Sequence, residues 1–402
     1  MTLINIFNKH RGAMKKVYAD NSATSFPKAP GVSDAIKDFL DNVGCNVNRG
    51  GYESSYNAAL EILATRKQFC KLFNFDEPRN VIFTHGITHS LNMILKGFLK
   101  DGDHIITTSM EHNSVMRPLH ELTKTGVSYD IAECHSDGSL SAAAITKLIS
   151  KNTKAVVMSH ASNVCGTILP IYDISDICRK NGIKLIVDSA GTAGVLDLDM
   201  QQFDALAFTC HKGLLAAQGL GGFLIKSDLA EITLPIITGG TGSLSHDTVQ
   251  PDFLPDKFES GTLNIPAIMG LKVALEYINK VGVGAIHKKE MNLAEKFLSE
   301  MSKISSGVRI VGKNGLSGRI AVISLDFMGR DNAEISSILD KDYGIMTRCG
   351  LHCAPMAHKT LQTYPEGTVR FSFGHFNTAE DVDYAVTAIR EIIASPIERG
   401  CN

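Results

Sequence analysis

An alternation of short apolar runs with helical patterns, between about residues 60 and 227, limits the possible folds more than any other feature. The apolar runs are rich in β-branched residues, and most of the stretches between them space apolar residues about 3.6 apart. Strands that alternate with helices build a mainly parallel sheet in an α/β fold. The predicted strands are residues 80–85, 104–109, 127–132, 154–160, 184–189, 205–210 and 221–226.

The rest of the chain predicts a second, smaller domain. A chain of 402 residues is long for one ordinary domain. A Gly/Ser/Pro-rich stretch interrupts the alternation after residue 228, and strands then mix with amphipathic helices beyond residue 308, as in an α+β domain. The predicted parts are an N-terminal extension (1–13), a segment joining the small domain (14–30), a large domain (31–257) and a small C-terminal domain (258–402).

Charge and cysteine content exclude several classes of protein. A formal net charge of −2 offers no basic surface for nucleic acid or anionic membranes, and no apolar run is long enough to span a bilayer. The N-terminus lacks the apolar core of a signal peptide. The nine cysteines do not form a secreted disulfide framework, and the C-x3-C pair at 349 and 353 lacks a second pair that would complete a zinc site. We therefore expect a reduced, cytoplasmic protein without a metal.

The segment ALAFTCHKG, residues 205–213, places a lysine where a buried strand ends. Partial burial lowers the pKa of such a lysine and leaves a nucleophilic amine that can form a Schiff base with a carbonyl cofactor. Thr209 and His211 beside it could hold a phosphate. The alternative is that Lys212 is only a solvated strand tip.

Asp188 ends the apolar strand KLIVD, 24 residues before Lys212. An aspartate in this place can cap a helix, or it can keep a pyridinium nitrogen protonated so that the ring acts as an electron sink. A carboxylate at one strand end and a lysine at a later one suit the two ends of a pyridoxal phosphate (PLP) ring.

Two further segments follow strands. His112 is either a surface histidine or a ring that stacks on an aromatic cofactor. Gly86, Ile87 and Thr88 lie between a strand and a helix, where backbone N–H groups and a hydroxyl can cradle a phosphate; the alternative is a plain threonine cap.

The second candidate region is the loop RCGLHCA, residues 348–354. A cysteine on a loop between His and Arg can be partly ionised and act as a nucleophile, and the alternative for Cys353 is a buried structural thiol. Arg370 lies inside a β-rich run, where its guanidinium needs a carboxylate partner that is either internal or part of a substrate.

These segments together resemble the class V aminotransferases of PLP fold type I, and within them the Suf-type cysteine desulfurases. The resemblance extends from Tyr18 to about Ile393. It rests on the ordered motifs YADNSATSFP, FTHGITHSLN, MEHNSV, SNVCGT, VDSAG, TCHK, FESGTLN, RCGLHCAP and VRFSF.

The resemblance implies a role for each matching residue. Lys212 would hold PLP as a Schiff base, Asp188 would pair with the ring nitrogen, and His112 would lie on the ring face. The implied phosphate contacts are Gly86, Ile87, Thr88, Thr209 and His211. The implied substrate contacts are Asn163, which would also lie near the ring hydroxyl, Arg348 at the loop border and Arg370 at the carboxylate. Cys353 would accept sulfur, and Thr262 would reach the phosphate of the neighbouring subunit in a homodimer.

The implied activity is conversion of L-cysteine to L-alanine, with sulfur passed through a Cys353 persulfide to an acceptor protein, as in iron–sulfur cluster assembly. Selenocysteine lyase, another class V transaminase and a non-catalytic PLP-binding sulfur-trafficking protein remain alternatives. Two departures bear on cofactor affinity, because Gly191 stands where many relatives carry Gln and Ile87 replaces a frequent Thr.

Overall fold

The computed structural model of the protein describes residues 14–47 and 50–395, so the predicted extension 1–13 lies outside the described residues. The strands are β1 (Val17–Tyr18), β2 (Val81–Thr84), β3 (His104–Thr108), β4 (Ser128–Ala132), β5 (Thr153–Ser159), β6 (Lys184–Asp188), β7 (Ala205–Thr209), β8 (Gly221–Ile225), β9 (Arg309–Val311), β10 (Val322–Asp326), β11 (Ile345–Met346), β12 (Arg348–Gly350) and β13 (Thr368–Ser372). The helices are α1 (Val32–Asp38), α2 (Glu53–Leu72), α3 (Ile87–Phe98), α4 (Asn113–Leu122), α5 (Ala142–Leu148), α6 (Ile171–Asn181), α7 (Ser227–Ile232), α8 (Ile265–Val281), α9 (Val283–Ser302), α10 (Asn332–Tyr343), α11 (Pro355–Thr360) and α12 (Ala379–Ala394).

A seven-stranded sheet forms the large domain, with the strand order β2-β8-β7-β6-β5-β3-β4. All neighbouring pairs are parallel except those of β8, which is antiparallel to both β2 and β7. Each predicted strand matches one observed strand to within one residue at each end. The prediction of a mainly parallel seven-stranded α/β sheet is confirmed.

Helices cover both faces of this sheet. On one face the ring of Phe69, from α2, stacks on Phe208 of β7 with 4.4 Å between ring centroids. On the other face Leu91 and Ile94 of α3 pack in one apolar cluster with Leu119 of α4. Each such fully buried side chain contributes about 1.5–3 kcal/mol. The central strands are therefore apolar on both faces, and their polar residues are confined to the strand ends.

A close backbone approach positions the start of α3. A Cβ atom on Gly221 of β8 would lie only 2.6 Å from the Cα of Gly86, so a glycine is needed there for β8 to pass the turn that precedes α3. The N–H of Gly86 also donates to Thr84 Oγ1 at 3.3 Å. These contacts hold the N-terminus of α3 at the carboxyl edge of the sheet.

The small domain is built on a four-stranded antiparallel sheet with the order β12-β13-β10-β9. Phe297 of α9 contacts Phe371 and Phe373, with ring centroids 5.0 and 5.2 Å away. The N-terminal segment adds β1, which pairs in parallel with β11, and Asp20 bridges to Ser372.

Helix α8 lies in the part of the chain, residues 258–402, that the sequence analysis predicts to be the small domain. Its buried residues Ile268, Leu271 and Leu275 belong to the apolar cluster of the large domain, and the helix packs on α1 and α2. The apolar face of α8 matches those helices, so residues 265–281 pack with the large domain. No helix in the described ranges is long and apolar enough to cross a membrane.

Candidate active site

Six strands of the large sheet, all except β8, run in the same direction, so their carboxyl ends meet at one edge. Neighbouring strands place Ser159 beside Asp188, and Thr84 and Thr209 both pair with Gly221 between them. Ligands of open α/β sheets bind at this edge. Most of the predicted site residues follow these strand ends and are therefore brought together.

Asp188 is buried at this edge, with 5% of its surface exposed. Its Oδ1 accepts a hydrogen bond from the backbone N–H of Ala190 at 2.9 Å. Burial raises the pKa of this carboxyl, while the Ala190 N–H and the charge of Lys212 oppose the rise. A cation beside the carboxylate would stabilise its charged form, and a protonated pyridine nitrogen is such a cation.

Lys212 lies three residues beyond the end of β7. Burial, together with the guanidinium groups of Arg370 and Arg348, lowers the pKa of its amine to about 8 against the opposing carboxylates of Asp188 and Asp20. The neutral, nucleophilic amine is therefore accessible near neutral pH.

A second lysine of similar acidity was missed by the sequence analysis. Lys28 donates hydrogen bonds to Thr24 Oγ1 at 3.0 Å and to the carbonyl of His211 at 3.1 Å. Burial lowers its pKa to about 8. The only sequence signal is its place in a Ser/Thr-rich segment, because its contact with the lysine loop spans more than 180 residues of chain.

His112 forms the N-cap of α4, where its Nδ1 accepts a hydrogen bond from the N–H of Ser114 at 3.0 Å. Burial lowers the pKa of this imidazole to about 4, and the charges of Lys212 and Arg348 add to that effect. The ring is neutral at physiological pH. A neutral ring in this position suits stacking on an aromatic cofactor.

A site for an anion lies where α3 begins. Gly86, the N-cap residue, has φ 148° and ψ 168°, and no side chain caps the helix. This conformation is nearly confined to glycine, and it leaves N–H groups of the first turn, at Ile87 and the exposed Thr88, available to a ligand.

The end of β7 adds polar groups at the same edge. The Thr209 side chain is buried there, and His211 has a buried Nδ1 without a hydrogen-bond partner in the described part of the chain. Together with the uncapped N-terminus of α3, these groups fit a phosphate.

The loop 351–354 presents Cys353 at the surface. The Cys353 side chain is exposed, and Arg348 Nη2 lies 3.4 Å from its Sγ. Cys353 has a left-handed backbone with φ 58°. Its carbonyl accepts from the N–H of Asn113 at 2.8 Å, and Asn163 Nδ2 donates to the carbonyl of His352 at 2.8 Å. The thiol is therefore exposed on a loop that is tied to the large domain.

His352 does not flank this thiol as the sequence analysis expected. Its side chain is buried, with Nε2 3.0 Å from Thr368 Oγ1, and burial lowers its pKa to about 2. A neutral, inward-facing imidazole cannot stabilise a thiolate at the surface. The cation beside the Cys353 sulfur is Arg348.

Arg370 has an internal carboxylate partner. Only 1% of the residue is exposed, Nη2 donates to Asp20 Oδ1 at 2.8 Å, and Nη1 donates to the carbonyl of Asn163 at 2.9 Å. Its Nε is buried and lacks a hydrogen-bond partner among the described residues. Arg370 also pairs with Arg348 across β12 and β13, so two guanidinium groups create a positive field beside Lys212.

Thr262 is separate from the other predicted site residues. It is exposed beside Gly261, whose φ is 92°. It lines a cavity of about 240 Å³ that also includes Arg66 and Glu259, and no other predicted site residue lines this cavity. Within one chain, the structure does not bring Thr262 to Lys212.

Comparisons with known proteins agree with this architecture. A family profile for class V aminotransferases matches residues 17–385. A probable cysteine desulfurase of Pyrococcus abyssi is 30% identical over 94% of each chain, and one of Synechocystis is 30% identical over 96% of this chain and 93% of the relative.

Solved structures of cysteine desulfurases are also similar to the structure of this chain. The apo cysteine desulfurase of Thermococcus onnurineus superposes with a TM-score of 0.88 at 30% identity, and the cysteine desulfurase CsdA of Escherichia coli with 0.84 at 27% identity; each comparison covers 94% of both chains.

Proposed function

This chain belongs to the class V aminotransferase family, and from that membership and the geometry of its site we propose that it is a PLP-dependent cysteine desulfurase. It would convert L-cysteine to L-alanine and transfer the sulfur to Cys353. The observation that carries the proposal is the exposed Cys353 thiol, 3.4 Å from a guanidinium and on a loop tied to the sheet edge. An ordinary transaminase has no use for such a thiol.

The residues at the carboxyl edge of the large sheet have the chemical groups that PLP binding requires. Lys212 would hold the cofactor covalently, Asp188 would lie against its ring nitrogen, and the first turn of α3 would bind its phosphate. When bound, PLP supplies an electron sink that stabilises negative charge at the substrate Cα. Thr209 and His211 would add contacts to the phosphate, and the neutral ring of His112 would cover one face of the cofactor.

Side chains of the protein would carry out substrate binding, proton transfer and sulfur transfer. Asn163 and the Nε of Arg370, the one nitrogen of that guanidinium without a partner among the described residues, would bind the substrate carboxylate. The Lys212 amine would accept the Cα proton. The Cys353 thiolate would then attack the substrate sulfur, so that the new S–S bond forms as the Cβ–S bond breaks. The electron pair of the broken bond would stay on Cβ, and Cβ would take up a proton to become the methyl group of alanine, while the sulfur remains on Cys353 as the persulfide. Arg348 would stabilise negative charge on the attacking sulfur, since charge-assisted hydrogen bonds are the stronger ones.

Product analysis of the purified holoprotein tests this function. With L-cysteine and a reductant we expect equal amounts of alanine and released sulfide, and without the reductant a persulfide on the protein. The same assay with L-selenocysteine separates the lyase alternative, because a lyase would form alanine only from the selenium substrate. PLP binding without alanine from either substrate would contradict the proposal.

We also propose a sulfur-acceptor protein in a reduced, cytoplasmic compartment, as in iron–sulfur cluster assembly. The support is that the eight cysteines within the described ranges are all free, and that Cys353 is the exposed one. An exposed thiol on a short loop is accessible to a second protein.

A homodimer with shared active sites completes the proposal. Tyr56 and Leu60 of α2 are each 62% exposed, and the connection after β8 adds Leu234 at 69% and Val249 at 71%. Exposed apolar side chains mark an interaction surface where they form a contiguous patch, and a homodimer would cover such a patch. Thr262, which lies apart from Lys212 in one chain, would then meet the phosphate bound by the partner subunit.

Mixing two inactive variants tests the shared site. Lys212→Ala removes the cofactor lysine, and Thr262→Asp places a negative charge near the phosphate of the partner's site. After subunit exchange, one site of each hybrid dimer has both residues intact, so we expect up to half of the hybrid sites to regain alanine formation. Verified exchange without recovery would show that each site is built from a single chain.

A further inference from the structure

The N-terminal motif YADNSATSFP, residues 18–27, has no part in the chemistry described so far. In the structure it connects two parts of the site. Asp20 forms a bridge with Ser372 at the end of β13, the strand that carries the substrate-binding arginine. Further along, the N–H of Ser25 donates to the carbonyl of His211 at 2.8 Å. The segment therefore runs from the strand of that arginine to the loop of the cofactor lysine.

The carboxylate of Asp20 contacts Arg370 directly. Arg370 Nη2 donates to Asp20 Oδ1 at 2.8 Å, and Nη1 donates to the carbonyl of Asn163 at 2.9 Å. Acceptors on two different nitrogens fix the plane of the guanidinium, because a single hydrogen bond would leave it free to turn about that bond. The buried Nε, which has no partner among the described residues, is then left as the donor for a ligand.

We propose that Asp20 is a positioning residue, which holds the Arg370 guanidinium so that its Nε faces the carboxylate of the bound amino acid. The inference rests on the proposed function, which assigns that carboxylate to Arg370. Without Asp20, Nη2 would be a buried charged donor without its acceptor, and the guanidinium would turn toward another one. Orientation of the arginine before the ligand arrives lowers the free-energy cost of binding.

The charges around this pair support the same role. Asp20 is the carboxylate that forms an ion pair with Arg370 within the described chain. Burial lowers the pKa of Arg370 and Arg348 adds to that effect, whereas Asp20 opposes both through its charge and its hydrogen bond. Asp20 and Asp188 also oppose the effect of the two arginines on Lys212. The negative charge of Asp20 therefore offsets the repulsion between cations that lie close together.

Two amines that differ by one carboxylate test the proposal without turnover. L-alanine, the proposed product, and ethylamine can each be titrated into the holoprotein, with the change in cofactor absorbance as the readout. The charge of Asp20 on Lys212 affects both amines alike, so the ratio of their dissociation constants reports on the arginine. Asp20→Asn, which nearly keeps the size of the side chain, should weaken L-alanine relative to ethylamine by about tenfold or more, the usual contribution of a hydrogen bond to a charged group.

A matched control removes a carboxylate from another arginine of the small domain. Asp326 Oδ2 lies 3.0 Å from Arg309 Nη2, and Asp326→Asn should leave the ratio unchanged. Asp20→Glu keeps the charge but moves it by one methylene group, so we expect a smaller loss that is again confined to L-alanine. This variant decides the case if Asp20→Asn does not fold.

A double variant tests whether Asp20 acts through Arg370. Arg370→Ala should weaken L-alanine relative to ethylamine, and the addition of Asp20→Asn should cause no further loss, because the group that Asp20 orients is gone. Additive losses would overturn the proposal. An unchanged ratio in Asp20→Asn would also overturn it, and tighter binding of L-alanine would show that Asp20 repels the carboxylate instead of orienting its partner.

The same titrations separate this inference from the proposed function. Unmodified protein that binds L-alanine but forms no alanine from L-cysteine would contradict the proposed function, and the ratio in Asp20→Asn would still decide the role of Asp20. Unmodified protein that binds L-alanine no more tightly than ethylamine would overturn the role of Asp20 itself.

Discussion

Lys212→Ala is expected to reduce alanine formation from L-cysteine by at least about 10²–10⁴-fold, the usual contribution of a positioned acid–base group. The lysine is both the proposed cofactor attachment and the group that accepts the Cα proton. Its lowered pKa, about 8, keeps part of the amine neutral for both roles. The unmodified protein should be yellow, and borohydride reduction followed by mass spectrometry should place the reduced cofactor on Lys212.

Lys28 provides a matched control for this result. It is a second lysine whose pKa is lowered to about 8, it is half-buried, and it contacts the same loop through the carbonyl of His211. Lys28→Ala should retain the reduced adduct on Lys212, with a moderate loss of activity from the weakened loop. An adduct on Lys28, or full activity in Lys212→Ala, would show that the wrong lysine has been assigned.

Cys353→Ala is expected to abolish alanine formation in turnover with L-cysteine, because the acceptor of the substrate sulfur is removed. Cys353 is exposed and 3.4 Å from the Arg348 guanidinium, and the left-handed backbone of the loop holds it outward. The measurement is alanine formed per site under multiple turnovers, with the persulfide mapped by mass spectrometry after thiol blocking.

Cys349 is the control for that variant. It lies on β12, only four residues earlier, but its side chain packs against the apolar core of the small domain. Cys349→Ala should therefore keep most of the activity. Normal desulfurase activity in Cys353→Ala would rule out sulfur transfer through this thiol. Loss of activity on cysteine with retention on selenocysteine would favour the lyase alternative, since selenium leaves with less help.

The seven-stranded sheet could be predicted because its strands are covered on both faces. Burial on two faces requires a continuous apolar run, and such a run is visible without any knowledge of its neighbours. For the same reason, polar residues such as Asp188 and Lys212 stand out where the runs stop. The packing of α8 on α1 and α2 could not be predicted, because an apolar helical face does not reveal which layer it packs against.

Contacts between distant parts of the chain were not visible in the sequence. The partner of Arg370 is Asp20, which is 350 residues away, and the carbonyl of His211 is bound by Lys28 across 183 residues. His352 looked like a neighbour of the reactive thiol. Its burial depends on the packing of the two domains, which no local pattern encodes.

By itself, the sequence determined the α/β class, the strand positions and the polar residues that end the strands, because hydrophobic periodicity and strand ends are local properties of the chain. Only the tertiary structure decided which of those polar groups are buried, paired or exposed. Packing of the small domain against the sheet edge turns His352 inward and pairs Arg370 with Asp20. Desolvation and neighbouring charges then set the acidity of each group, and both depend on residues brought together from across the whole chain.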